Sequence, residues 1–170
     1  MRIKSLALAL PLAIVAALTA ATPVHAQELG LAVGTRAPAA AVQTLEGGAA
    51  NLSQWIGKTP VVMEFWATWC PNCKELEPAM IAAARKHGDR VKFVAVAVSV
   101  NQSPERVRRY QAQHKVPMTF VYDHEGNATD VYDVPATSYV VVLDRAGKVV
   151  YTGLGGKQDL EAAIAKATAQ

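Results

Sequence analysis

Apolar residues along this chain fall into short runs, separated by segments with helical spacing. Val61 to Trp66 is apolar except for Glu64, the pattern of a strand buried on both faces. After it, Cys73, Leu76, Met80 and Ala83 or Ala84 share one face at helical spacing. Pro71 suits the first helical position, where its missing N–H is harmless. Pro78 should kink this helix. Gly88 closes it, after Arg85, Lys86 and His87 in the last turn. Val91 to Val98 reads as a second buried strand. Ser103-Pro104-Glu105 opens a helix that runs to about His114. Val116 to Tyr122 is a further strand, followed by a turn over Asp123 to Asn127 and a loop or short helix to Asp133. Tyr139 to Leu143 and Lys148 to Thr152 form an antiparallel hairpin around the turn at Asp144–Gly147. Lys157 to Ala167 is the last helix, burying Leu160, Ala163, Ile164 and Ala167. Strands alternating with helices argue for parallel pairing in an α/β sheet.

Before this core, Gly34 to Asn51 carries Pro38, a Gly47-Gly48 turn and the alternating Val42 and Leu45. It reads as a β-hairpin extension. Asn51 or Ser53 caps a brief helical turn holding Leu52, Trp55 and Ile56. Gly57-Lys58-Thr59-Pro60 then breaks the chain. The first residues follow a different pattern. Arg2 and Lys4 precede an apolar run from Leu6 to Ala21, and Val24-His25-Ala26 offers small residues at cleavage spacing. Residues 1–26 are read as a secretory signal peptide. The run is short for a full span, and an uncleaved membrane anchor is the alternative. No cysteine follows it, which argues against a lipid anchor. Residues 27–33 are read as a tether and 34–170 as one domain, located in the periplasm.

Composition adds little after that cut. The leader accounts for two of the positive charges and no negative ones, leaving +1 of the chain's +3. No long basic run remains, so no nucleic-acid partner is expected. RVRR at 106–109 is the wet face of a helix. Export places the two cysteines where a disulfide persists.

Cys70 and Cys73 are the only cysteines. They stand where the turn after the first buried strand becomes a helix. Unpaired N–H groups and partial positive charge there stabilise a thiolate. The pattern predicts Cys70 as an activated, exposed nucleophile and Cys73 as the resolving thiol. An inert staple is the plainer reading of any such pair. Closing about four residues contributes roughly 2 kcal/mol, against about 3 for fifteen, so a staple would gain little here. A metal site is another alternative, with copper or zinc held by Cys70, Cys73 and one of His87, His114 or His124. None of these histidines has a convincing spacing. Lys74 after Cys73 removes the CxxCH haem pattern. Thr68 and Ala67 do not fit the peroxiredoxin pattern.

Several motifs converge on one family. FWATWCPNC with Pro78 five residues on, Val33-Gly34-Thr35-Arg36-Ala37-Pro38 upstream and Asp144-Arg145-Ala146-Gly147-Lys148 late in the chain resemble the TlpA-like thiol:disulfide reductases. The resemblance runs from Val33 to the C-terminus. It implies a thioredoxin-like fold, a central mixed sheet flanked by helices, with the hairpin as an N-terminal extension. It implies reduction of protein disulfides through Cys70 and Cys73, with net oxidation or isomerisation as the alternative direction. It also implies a membrane thiol donor, substrates such as those of cytochrome c maturation, and no cofactor beyond the disulfide itself. A monomer is expected.

The matching position in thioredoxin makes Glu64 a general base for Cys73. A strand-end glutamate reaching solvent is the alternative. Some relatives carry an acid where this chain has Leu76, and Glu75 is a possible stand-in. Lys74, Glu75 and Glu77 otherwise read as a solvated helix face. Trp69 and Pro71 are expected to face substrate, together with the loop that usually bears a cis-proline. Counting back from Asp144–Lys148 puts that position on Ser138, after Thr137, with a trans bond expected. Pro135 is the alternative.

Overall fold

Polar and glycine-rich breaks decide where the elements end. The computed structural model describes residues 30–169, so the expected leader and the start of the tether, residues 27–29, lie outside the described residues. Strands β1 (Ala41–Gln43) and β2 (Ala49–Asn51) form the hairpin, with Val42 opposite Ala50. The Asn51 side chain accepts from the Ser53 N–H at 2.9 Å and starts a single 3₁₀ turn, Leu52–Gln54. The central run is β3 (Val61–Trp66), buried throughout.

Helix α1 (Pro71–His87) follows, then β4 (Lys92–Val98), α2 (Pro104–His114) and β5 (Thr119–Asp123). Pro78 lies inside α1 without ending it. Both Pro78 and Lys74 one turn back are exposed, so water can meet the carbonyl that loses its N–H partner. Ser103 caps α2 by accepting from the Arg106 N–H. The short α3 (Asn127–Val131) is held by buried Asp123, which accepts from the N–H groups of Ala128 and Thr129 at 3.0 and 2.8 Å. Strands β6 (Tyr139–Leu143) and β7 (Val149–Leu154) and helix α4 (Leu160–Thr168) complete the order.

These strands make one mixed seven-stranded sheet, in the order β2-β1-β5-β4-β3-β6-β7. β3–β4 and β4–β5 are parallel, and the other pairs are antiparallel. Side chains alternate across β3. Val62 packs with Leu76 and Met80 of α1 and with Leu160 and Ile164 of α4. Trp66, on the same face, meets Tyr110 of α2 with ring centroids 5.1 Å apart. Phe65 points the other way and meets Tyr132 at 5.2 Å. Glu64 therefore lies under the α1–α2 layer. Glu161 ties α4 to the end of α1, its Oε2 lying 2.8 Å from Lys86 Nζ and 3.1 Å from His87 Nε2.

The segment before β1 runs along the far side of the hairpin formed by β6 and β7. The Gly34 N–H donates to the Val149 carbonyl, the Val149 N–H to Thr35 and the Ala37 N–H to Gly147. Within that turn, Lys148 N–H donates to Asp144 Oδ1 at 2.8 Å. Gly147 has φ +81, and a Cβ there would sit 2.6 Å from Ile56 Cγ2, so the turn requires glycine. The chain then crosses to the opposite side of the sheet, where Gln43 pairs with Tyr122.

Candidate active site

Cys70 is the N-cap of α1. Its Sγ accepts from the Cys73 N–H at 3.0 Å, and the two sulfurs are joined as a disulfide. Pro71 is the exposed first helical residue. The preceding loop is fixed by its neighbour after β4. Gln102 Oε1 accepts from the Thr68 N–H at 2.9 Å, and the Val100 carbonyl accepts from Trp69 Nε1 at 2.8 Å. Gln102 is in turn held by its side-chain amide, which donates to the Val98 carbonyl, and by its backbone carbonyl, which accepts from the Tyr122 hydroxyl.

The expectation of an exposed Cys70 is not met. Cys70 is 2 % exposed and Cys73 5 %. A capping side chain folds back over the first helical turn, and the bond to Cys73 pulls its sulfur further inward. What remains exposed is Trp69, at 39 %. It lines an apolar groove with Val100, Val134, Ala136 and Thr137. Thr137 is thus brought beside Trp69, whereas Pro135 is exposed and is not among the groove's lining residues. Ser138 sits behind, fully buried, immediately before β6. Its N–H donates to the Phe65 carbonyl at 2.8 Å and its hydroxyl to the Gly155 carbonyl at 3.1 Å. Its φ is +65, and no described peptide bond is cis.

On the other side of the disulfide, Glu64, Cys73, Glu77 and Tyr110 line one small cavity. Glu64 is 6 % exposed, so it does not reach solvent, and its Oε1 has no hydrogen-bond partner. Burial first, and then the Glu77 carboxylate, push its pKa up to about 8. A carboxylate with a pKa near the operating pH has the property that suits a general base.

Glu77 does not belong to a solvated face. Tyr110 OH donates to its Oε2 at 2.6 Å, and His114 Nδ1 lies 2.7 Å from its Oε1. Burial and Glu77 both raise the Tyr110 pKa, so the phenol stays a donor. The signal was present in the sequence: Glu77 is four residues after Cys73 and shares its helix face. Glu75 does not take the acidic role considered for it. It faces Gly156 and lies 3.8 Å from Lys157 Nζ. Nothing in the sequence pointed to Gln102. His87 and His114 are engaged by Glu161 and Glu77. Among the described residues no group of three or more His, Cys, Asp or Glu is disposed to hold a metal ion.

A CxxC disulfide at a helix start, on a mixed sheet of this order, with a buried acid behind it, defines a thioredoxin-fold thiol:disulfide oxidoreductase. The Redoxin family profile matches residues 32–168, and the chain belongs to that family, with the features of its TlpA-like members. It is 30% identical over 138 residues to the thioredoxin-like protein YneN of Bacillus subtilis, covering 79% of this chain and 80% of that one. It is 32% identical over 127 residues to the thiol-disulfide oxidoreductase ResA of the same organism, covering 75% and 70%. Among solved structures, a chain described as a thiol:disulfide interchange protein DsbE from Chlorobium tepidum superposes with a TM-score of 0.69. That chain is 28% identical, with 81% and 98% of the two chains covered.

Proposed function

We propose that this protein works outside the cytoplasm, in the periplasm, as a reductant of protein disulfides. A membrane thiol donor recharges it, and proteins of cytochrome c maturation are among its substrates. The leader pattern around Arg2, Lys4 and Val24-His25-Ala26 supports export, and the reductase motifs support the direction. The observation that carries the reading is the Cys70–Cys73 disulfide with Glu64 and Cys73 on one cavity.

In this mechanism the reduced Cys70 thiolate, stabilised by the start of α1, attacks a substrate disulfide. One substrate sulfur leaves with the electron pair and the other is held as a mixed disulfide. Glu64 then takes the Cys73 proton. The Cys73 thiolate attacks Cys70, the internal disulfide forms, and the second substrate sulfur departs as a thiolate. The Trp69–Thr137 groove receives the substrate polypeptide beside the sulfur.

Equilibration with glutathione buffers tests the direction. A potential near that of thioredoxin, about −270 mV, is expected; one near about −120 mV, like a dedicated oxidase, overturns it. Cys73→Ser should accumulate mixed disulfides on Cys70 in periplasmic extracts, and their identities test the substrate class.

A further inference from the structure

The proton that Glu64 removes from Cys73 must leave a buried site. Glu64 has an unpartnered carboxylate oxygen and shares a cavity with Glu77. That cavity has a volume of about 20 Å³, enough for one water molecule. Its polar groups are Glu64 and the unpartnered indole N–H of Trp66 from β3, Cys73 and Glu77 from α1, and Tyr110 from α2; the remaining walls are apolar. Exposure then rises outward, from 6 % for Glu64 to 21 % for the Glu77 side chain and 39 % for that of His114. The His114 ring stacks on Tyr110 at 3.9 Å, which fixes its orientation toward Glu77. Outside, His114 borders a groove with Lys74, Arg106 and Arg109.

We propose that Glu77 and His114 form the exit route for the Cys73 proton, with Tyr110 as the positioning residue that holds both. The proton passes from Cys73 Sγ to the Glu64 carboxylate, through a water to Glu77, to His114 Nδ1 and on to solvent. No electrons move along this route. They move when Cys73 attacks Cys70 and the bond to the outgoing sulfur breaks. This inference rests on the reading of Glu64 as the base.

The test uses the reduced full domain and the aromatic disulfide 5,5′-dithiobis(2-nitrobenzoate). Cys70 releases one thionitrobenzoate as it forms the mixed disulfide. Cys73 releases the second when it closes the ring, so the second absorbance phase reports resolution. In His114→Asn and Glu77→Gln, the second phase should slow about fivefold relative to the first at pH 7. It should recover at high pH, where hydroxide takes the proton directly. Added free imidazole should restore the rate in His114→Ala, which a merely structural role would not allow. A slow second phase in Glu64→Gln with unchanged rates in both outer variants overturns the route and leaves the base in place. An unchanged second phase in Glu64→Gln overturns the base itself, and the route with it. A slow His114→Ala protein that imidazole does not rescue also overturns the route.

Discussion

The two sides of the disulfide are built from different materials. On the Cys70 side the partners are backbone groups and an apolar groove. The Val100 carbonyl holds Trp69, and the Ser138 amide is spent on Phe65. On the Cys73 side the partners are ionisable side chains arranged from buried Glu64 to half-exposed His114. Backbone and apolar contacts of the first kind discriminate little between polypeptide sequences. Under the proposed function, the first side handles recognition and the second acid–base work, with one helix start between them.

The sharpest break in that comparison comes from the sulfurs. Cys70→Ser should abolish exchange, and Cys73→Ser should stop after the first bond is made; thiol release and mass spectrometry distinguish the two. Next is Glu64→Gln, expected to slow resolution about a hundredfold at neutral pH, within the range for removing a general base, while leaving the first step nearly intact. Its stability should also change with pH. The native state holds the Glu64 proton that the unfolded chain releases above its usual 4.5. This contribution is fully present below that value and is lost as pH rises through about 8. Gln stays neutral throughout, so thermal melts should favour the variant increasingly from pH 5 to pH 9.

Trp69→Ala belongs to the other side. It should lower kcat/KM for protein disulfides about tenfold, the effect of about 1.4 kcal/mol of lost contact, with the resolution rate unchanged. If resolution also slows, the two sides are not separable. The smallest effect is expected far from both. Glu161 is held below the usual carboxylate range by its hydrogen bonds to Lys86 and His87. Its contribution is present above that usual range and is lost as pH falls through the lowered value. The pair is exposed, so Glu161→Gln should lower Tm only slightly, and high salt should remove the difference.

The same division governs what could be read without coordinates. The β6 strand matches its hydrophobic run residue for residue, and α2 begins and ends at its cap and last polar turn. The cysteine pair and Glu64 stood out because their chemistry is local to one strand and one helix start. Glu77 did not. Helical spacing places it on the face of Cys73, but its partners come from α2 packing beside α1, contacts between residues 33 and 37 apart that periodicity does not reveal. The burial of Cys70 was missed for a related reason. A capping position predicts charge at an atom, whereas exposure depends on where the ring closure draws it.

The stretch at 34–37 has a further consequence. Its hydrogen-bond partners lie at Gly147 and Val149, more than a hundred positions later. A ribosome or translocon delivering this chain from its N-terminus releases those early residues long before their counterparts exist. They must wait, unpaired, until nearly the whole polypeptide has emerged. Pairings this distant in sequence slow folding, so maturation of the domain should be post-translational, and a product truncated before Val149 should be left for proteases to clear.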